Sequence, residues 1–341
     1  MSLANVFKSN LFKTTSLTLA INADEQPPQR IAELGLFESA GVRTTSVVIE
    51  RKGSTLEIIP AKARGAPPTP MKDGTRDAIS FEIPHFPAID TLLADELQDV
   101  RAFGSEDQLQ GVEMIRDEKL GRMNASIDAT EEYHRLGAIQ GMVLDADGSV
   151  IFDLYDEFGV TEPDPIYLDL AAAWAEADGG RVRAKLGAIK DQMRRALKNQ
   201  RVRGVWAPCG EQFFEDLINH PEIRQTYLNQ QAANDLRDGQ VDDRFTYGGV
   251  LFEKYPGYGE IELPENECRF VPMGVPGLFI SRYAPAPWFS AVNRIGLPRY
   301  AMATLDPTGE KMITMEAQTN AIHLLTRPEV SIPGTSAADP G

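Results

Sequence analysis

The stretch from Ser105 to Gly137, SEDQLQGVEMIRDEKLGRMNASIDATEEYHRLG, reads as one uninterrupted helix. Ser105 followed by Gln108 predicts a capping box, in which each side chain satisfies an orphan backbone N–H. Glu106 and Asp107 suit the positive end of the helix dipole. Leu109, Val112, Leu120, Met123 and Ile127 recur at three- and four-residue spacing and form one apolar stripe. Gly137 predicts a left-handed stop. At 1.5 Å per residue such a rod is about 50 Å long, more than an ordinary globular domain requires. A rod of this length, placed directly after a long two-stranded arm, suits a protein that spans its neighbours. Taken alone, the helix fits equally well inside a large α/β enzyme.

The arm is read from residues 43–86. Thr44–Pro60 is rich in β-formers, with Arg51-Lys52-Gly53 as a turn or bulge, and Asp77–Phe86 alternates enough to return as a strand. Between them, AKARGAPPTPMKDGTR at 61–76 carries too much proline and glycine for a compact core. From Arg43 to Arg76 the basic residues Arg43, Arg51, Lys52, Lys62, Arg64, Lys72 and Arg76 face only Glu50, Glu57 and Asp73, although the whole chain carries a net charge of −16. A basic arm on an acidic body is able to bridge copies whose bodies otherwise repel. The alternatives are a solvated surface with chance clustering, and a lid over an enzyme's site.

Ahead of the arm, the first thirty residues mix polar residues with isolated Leu3, Val6, Phe7, Leu11 and Phe12. That composition predicts an extended segment that orders against a partner, with a helical turn near Arg30–Leu34 ended by Gly35. After the long helix, Asp147-Gly148 between apolar runs predicts a hairpin. Arg181–Gln200 places Leu186, Ile189, Met193 and Leu197 on one helix face. Val202–Ala207 reads as a buried strand, Glu211–Asn219 as a helix, and Pro221 as the start of another helix running to about Leu236. Strands are predicted at Thr246–Glu253 and Gly277–Tyr283, then a β-rich stretch over Tyr300–Val330 with a turn at Asp306–Gly309, and a frayed tail over Pro333–Gly341. An α/β unit thus sits inside a β-rich frame.

Chemistry is thinly signalled. The sequence holds no Walker loop, no GxGxxG, no HExxH and no GxSxG. His85, His134, His220 and His323 fall in separate elements, and each reads as structural. Cys209, ahead of a helix start, would need a base that His220 is badly placed to be, so it reads as a structural thiol. Cys209 and Cys268 lie far apart and imply neither a zinc site nor a disulfide framework. Glu131 and Glu132 point in different directions around a helix and make a poor acid/base dyad. Asp145 and Asp147 lack the further oxygen ligands and distal Glu of a calcium loop. No catalytic residue, cofactor or metal site is expected. The opening MSLANVFKSNLFKTTSLTLAIN lacks a signal peptide's apolar region, and no apolar run is long enough to span a membrane, so a cytoplasmic origin is expected.

The order of parts resembles the lambda-type major capsid proteins of tailed double-stranded-DNA phages, the capsid protein E family. The resemblance is carried by GLFESAGVRTTSVVIE at 35–50, RGAPPTP at 64–70, LLADELQDVRAFGSED at 92–107 and EYHRLGAIQGMVLDADGSVIFDLYDEFGV at 132–160. It continues through INHPEIRQTYLNQQA at 218–232, YAPAPWFSAVNRIGLPRYAMA at 283–303 and LLTRPEV at 324–330. It implies an α+β fold of the Hong Kong 97 type. Its parts would be an N-terminal arm at 1–42, an extended loop at 43–86 and a peripheral domain at 87–160 with the spine helix 105–137. An axial domain at 161–280 and a peripheral return with C-terminal tail at 281–341 complete it.

The resemblance also implies a shell of pentamers and hexamers around double-stranded DNA, bound without sequence specificity. The protein would be made in the host bacterial cytoplasm and end in the virion. Partners would be a scaffolding protein, a portal and, in some members, a cement or decoration protein; the segment ahead of the extended loop is too short to act as its own scaffold. Lys62, Arg64, Lys72 and Arg76 would make intersubunit contacts through the extended loop, and Phe7, Leu11 and Phe12 through the N-terminal arm. Lambda-type members are not generally cross-linked, though Lys62 and Lys72 leave cross-linking open. An encapsulin-like cellular compartment shares the fold and is the nearest alternative; a soluble enzyme with a lid is more distant.

Overall fold

A computed structural model describes residues 12–23, 30–52, 76–97, 108–170, 180–198, 200–224, 226–228, 243–255, 262–306 and 311–339. The first half contains α1 (Thr14–Ala23), α2 (Arg30–Glu33), β1 (Glu38–Gly41), β2 (Ser46–Lys52), β3 (Arg76–Glu82), β4 (Phe86–Leu93) and the long α3 (Gln108–Gln140). Then come β5 (Met142–Leu144), β6 (Val150–Asp153), α4 (Leu154–Glu157), β7 (Ile166–Tyr167), α5 (Arg181–Ala196), β8 (Gly204–Cys209) and α6 (Glu211–Asn219). The last part is β9 (Arg244–Tyr247), β10 (Val250–Lys254), β11 (Glu267–Met273), β12 (Phe279–Tyr283), β13 (Tyr300–Leu305), β14 (Met312–Thr319), β15 (Ala321–Leu325) and β16 (Ile332–Thr335).

The long helix is real, and its burial changes along its length. Leu120, Met123 and Ile127 face a cluster with Leu17 and Ile21 of α1 and with Ala301, Ile313 and Met315 of the sheet β13-β14-β4. The last turns, from Glu131 onward, are buried nearly all round, with Leu136 and Ile139 in the main core. Leu109 and Val112 of the expected stripe, and the expected capping box at Ser105, lie outside the residues whose side chains are described. Gly137 is not the stop. The helix passes through it to Gln140 and ends at Gly141, where φ is +90°. Gly137 is glycine for a tertiary reason: a Cβ there would sit 2.7 Å from the Met142 carbonyl oxygen, where the chain doubles back into β5.

The N-terminal segment is corrected in part. Residues 14–23 are a helix rather than extended chain, and α2 followed by Gly35 at φ +59° matches the expected turn. Phe12 is buried in its own chain, in the cluster that holds Leu17 and Leu120. Phe7 and Leu11 lie outside the described residues.

The inserted α/β unit is a six-stranded mixed sheet in the order β7-β16-β11-β8-β10-β9. Strand alternation explains how it is held on both faces. Val205, Ala207 and Cys209 join Val182, Leu186, Ile189 and Met193 of α5 and Phe213 and Leu217 of α6 in one cluster. Trp206 and Val271 turn the other way, into the main core with Leu136 and Ile139. Helices therefore cover one face while the rest of the molecule covers the other.

Two expectations fail here. The strand predicted over Thr246–Glu253 is a hairpin, because Gly248 and Gly249 both take positive φ, +58° and +79°, as a two-residue turn requires. The predicted frayed tail instead contains β16, which lies between β7 and β11 with Ile332 and Gly334 buried. The helix from Pro221 is described over 221–224 and 226–228; its expected end near Leu236 is outside the described residues, as is the expected turn at 306–309 beyond Asp306. The Asp147-Gly148 hairpin forms as expected between β5 and β6, with Gly148 at φ +80°. A smaller sheet β1-β12-β15 completes the core, with β1 parallel to β12.

Candidate functional site

The arm begins as a regular antiparallel ribbon. Ser46 pairs with Glu82 and the register runs without a bulge to Lys52 opposite Arg76. Among the described residues β2 and β3 pair only with each other. A two-stranded ribbon alone is marginal in water, so its root must be held by packing. Val47, Phe81 and Ile83 supply that hold. The Phe81 ring is 1% exposed and meets Phe152 edge-on at 5.7 Å and Phe158 at 5.5 Å. Val48, one residue along, points out and is 57% exposed, as strand alternation requires. Lys62, Arg64 and Lys72 fall outside the described residues; Arg76 opens β3, and nothing is described of its side chain.

Behind the root, a buried ionic network ties the long helix to the sheets. Asn124, Asp128, Glu131 and Arg135 recur at helical spacing on one face of α3, and Arg299 reaches across to them. The Arg299 guanidinium donates to Asp128 and Glu131, and its Nε donates to Asn124 Oδ1 at 3.0 Å. Glu131 also accepts from Arg135 Nη2 at 2.6 Å and from Thr319 Oγ1 at 3.1 Å. Burial would raise the Glu131 carboxyl, but Arg299 and Arg135 overcome it and hold the group at about 2. Glu132 faces elsewhere: its Oε1 accepts from the Ile31 N–H at 2.8 Å and from the Tyr255 hydroxyl at 3.0 Å. Burial pushes that carboxyl up, against those two donors and Arg135. Arg30 continues the chain of contacts to Glu253, which also accepts from Trp206 Nε1 at 2.8 Å. The network explains why the segment before the arm docks at all: α2 presents one N–H and one guanidinium to buried carboxylates.

Among the described residues, two groups of exposed apolar side chains stand out. The first is the connection between β12 and β13, where Phe289 is fully exposed and Val292, Ile295 and Leu297 are 55%, 56% and 43% exposed. The connection is built rather than loose. Trp288 packs edge-on against Tyr300 at 5.7 Å, the Leu297 N–H donates to the Tyr300 hydroxyl at 3.0 Å, and the Gly296 N–H donates to the Val42 carbonyl at 2.8 Å. The second lies on the outer face of β4 and β14, where Leu93 stands opposite Met312 and Ile89 is exposed on the same face. Contiguous exposed apolar groups of this kind mark contact surfaces more often than scattered ones do. The residue types were visible in the sequence, but exposure is a property of the fold.

His134, His323 and both cysteines are buried. Ser281 Oγ and His323 Nδ1 share a 2.7 Å hydrogen bond, yet the two residues are 0% and 2% exposed, and burial drives the His323 imidazole down to about 3. A base that weak, with no path for substrate, is a core pair. Beside the arm, a groove of about 560 Å³ is lined by Val48, Ile49, Glu50, Lys198, Arg282 and Arg327 among others, and its lining holds no histidine, cysteine or serine. Among the described residues no three His, Cys, Asp or Glu side chains are grouped to hold a metal, and no helix is long and apolar enough to cross a membrane.

A family model described as phage major capsid protein E matches residues 13–336. The chain belongs to that family. A major capsid protein of Salmonella phage Felix O1 is 27% identical to it over 97% of each chain. One of Pseudomonas phage KPP10 is 28% identical over 89% of this chain and 91% of its own. Among solved structures, a prophage protein of E. coli CFT073 described as its capsid protein superposes with a TM-score of 0.56 at 14% identity, covering 95% of this chain and 99% of its own. The capsid of a GTA particle gives 0.50 at 12% identity, over 92% and 93%. At such identities the superpositions speak for the fold, which is the Hong Kong 97 type. As a phage major capsid protein, the chain is a structural component of the virion. The match does not favour the encapsulin-like or lid-enzyme readings.

Proposed function

We propose that this major capsid protein assembles as pentamers and hexamers into an icosahedral shell around double-stranded DNA, with the β2–β3 arm lying on the acidic body of a neighbouring copy. The observation that carries the reading is the arm itself: a ribbon anchored by Phe81 at its root that pairs with no other strand among the described residues. Its unused edges and basic composition suit a partner outside the chain. In this reading α3 is the spine, residues 87–160 and those after about 281 form the peripheral domain, and the six-stranded sheet with α5 and α6 is the axial domain, to which β16 returns.

In the sequence between β2 and β3 stand Lys62, Arg64 and Lys72, with Arg76 at the start of the returning strand. A single exposed ion pair contributes only about 0–1 kcal/mol, but several per copy repeated over a shell decide assembly. Replacing Lys62, Arg64, Lys72 and Arg76 together by Glu should leave folded protein at the size of capsomers or monomers in sedimentation and negative-stain images. Shells of normal yield and salt resistance from that variant would overturn the electrostatic part of the proposal.

The remaining partners follow from the same reading. A scaffolding protein guides closure, a portal occupies one vertex, and a cement or decoration protein is the further candidate partner. Assembly takes place in the host bacterial cytoplasm. The shell encloses DNA without sequence-specific binding, and the net charge of −16 gives the protein no excess of cations for displacing counterions from phosphate, so its affinity for free DNA is low.

A further inference from the structure

Cys209 and Cys268 are far apart in the sequence, and the fold sets them face to face. They stand opposite each other in the antiparallel pairing of β8 with β11. Two backbone bonds define which kind of pair they form. The Gly210 N–H donates to the Glu267 carbonyl at 2.9 Å, so 210 and 267 stand at a hydrogen-bonding position of this ladder. The Cys209 carbonyl turns the other way and accepts from the Tyr255 N–H at 3.0 Å. Cys209 and Cys268 therefore occupy a non-hydrogen-bonded position, the closer of the two antiparallel pair types, with Cα atoms about 4.5 Å apart. A disulfide accepts Cα separations of about 4.4–6.8 Å.

The surroundings shelter both thiols. Both are free, and they are 0% and 2% exposed. Burial, followed by the hydrogen bond its own S–H donates to the facing Cys209, pushes the Cys268 thiol up, which suppresses the thiolate that attacks oxidants. On the other side of β11, Gly334 of β16 stands opposite Cys268, and a Cβ there would lie 2.8 Å from the Cys268 sulfur, so the glycine leaves the thiol its room against β16.

We propose that Cys209 and Cys268 form a modification site, a dithiol that closes to an intrachain cross-strand disulfide when a small-molecule disulfide oxidant reaches it. One protein thiolate attacks the oxidant's S–S bond, giving a mixed disulfide and releasing one small thiol. The second protein thiolate then attacks the protein sulfur of that mixed disulfide and releases the second small thiol. Two S–H bonds are lost, both protons leave on the released thiols, and the oxidant takes up the two electrons. Displacement of β16 is the access step. The closed clip joins β8 to β11 and encloses α6, β9 and β10 in one covalent loop, which restrains the unfolded chain. None of this depends on the shell reading, because the pair is internal to one chain.

The test uses the full-length reduced protein, incubated with oxidised glutathione in buffer and again in urea below its unfolding transition. The readouts are intact mass, thiol titration after denaturation, and peptide mapping. The expected result is a loss of about 2 Da per chain with no titratable thiol, faster in mild urea, a mapped peptide linking 209 to 268, and a higher urea midpoint for the oxidised chain. Two free thiols persisting on every chain in mild urea, stable glutathione adducts on either cysteine, or disulfide-linked dimers would each overturn the proposal. All readouts are made on the unaltered chain, so the outcome does not rest on a variant's ability to fold.

Discussion

Arg299 is the residue on which most of the buried charge depends. Its side chain is 7% exposed and contacts Asp128, Glu131 and Asn124 together. Removing one partner of a buried ionic cluster leaves an uncompensated charge, at a cost of about 3–5 kcal/mol. Arg299→Ala should therefore lower the chemical-unfolding midpoint by a corresponding amount, and an unchanged midpoint would show that water or Arg135 replaces it. The same network gives stability a pH dependence. His134 and His323 are held by burial at about 4 and about 3, below the ordinary 6.5. As pH falls below 6.5 the unfolded chain takes up protons on both while the folded chain does not. Stability should fall with a slope of about two protons down to pH 4. Glu131, held at about 2, extends the loss below pH 4.5, whereas the raised Glu132 acts in the opposite sense above pH 4.5 and offsets part of the histidine slope. Urea midpoints measured from pH 7 to 4 check this, and His323→Asn should flatten the slope between pH 6.5 and 4.

At the scale of elements, the end of the long helix shows propensity and packing in conflict. Alanine is favoured over glycine in a helix interior by about 1 kcal/mol. At position 137, however, the added methyl would meet the Met142 carbonyl at 2.7 Å and the Val143 Cα at 3.1 Å. Backbone yields less readily than a side chain. Gly137→Ala should thus destabilise the protein by about 1–3 kcal/mol, the range for overpacking, and weaken the docking of β5 against the helix. A variant with a raised melting temperature would mean that β5 moves aside at little cost. The arm's root makes the complementary case: Val47, Phe81 and Ile83 are buried because β2 and β3 alternate, and the same alternation leaves Val48 in solvent.

At the scale of the whole molecule, the chain leaves unsatisfied surface where a solitary protein would not. Phe289 is fully exposed at the crest of a connection braced by Trp288, Tyr300 and Val42. Substituting Phe289 and Ile295 by Ser should leave monomer stability within about 0.5 kcal/mol, because neither side chain is buried. Assembly should suffer instead, with lower particle yield in sedimentation at matched protein concentration. Normal particle yield from that double variant would assign the connection a purely solvent-facing role.

The sequence by itself determined what depends on neighbours along the chain. The 3.6-residue period placed α3 and the buried face of α5; the bounds of α6 matched from Glu211 to Asn219, and Asp147-Gly148 marked its hairpin. Long blocks of residue identity, from GLFESAGVRTTSVVIE onward, carried the family. Asn124, Asp128, Glu131 and Arg135 recur at helical spacing, but polar residues on a helix face read as solvated until the fold sets Arg299 against them. Only the tertiary structure decided the rest. It drew β16 out of an expected tail to a place between two strands of a sheet, brought Cys209 opposite Cys268, and made Gly137 a point of close approach instead of a stop. Phe12 went into the core of its own chain, while Phe289 was left in solvent. The physical reason is common to all five. Local pattern specifies which face of an element is apolar, whereas register between distant strands, and the burial that follows from it, is set by contacts whose free energy exists only once the whole chain has closed.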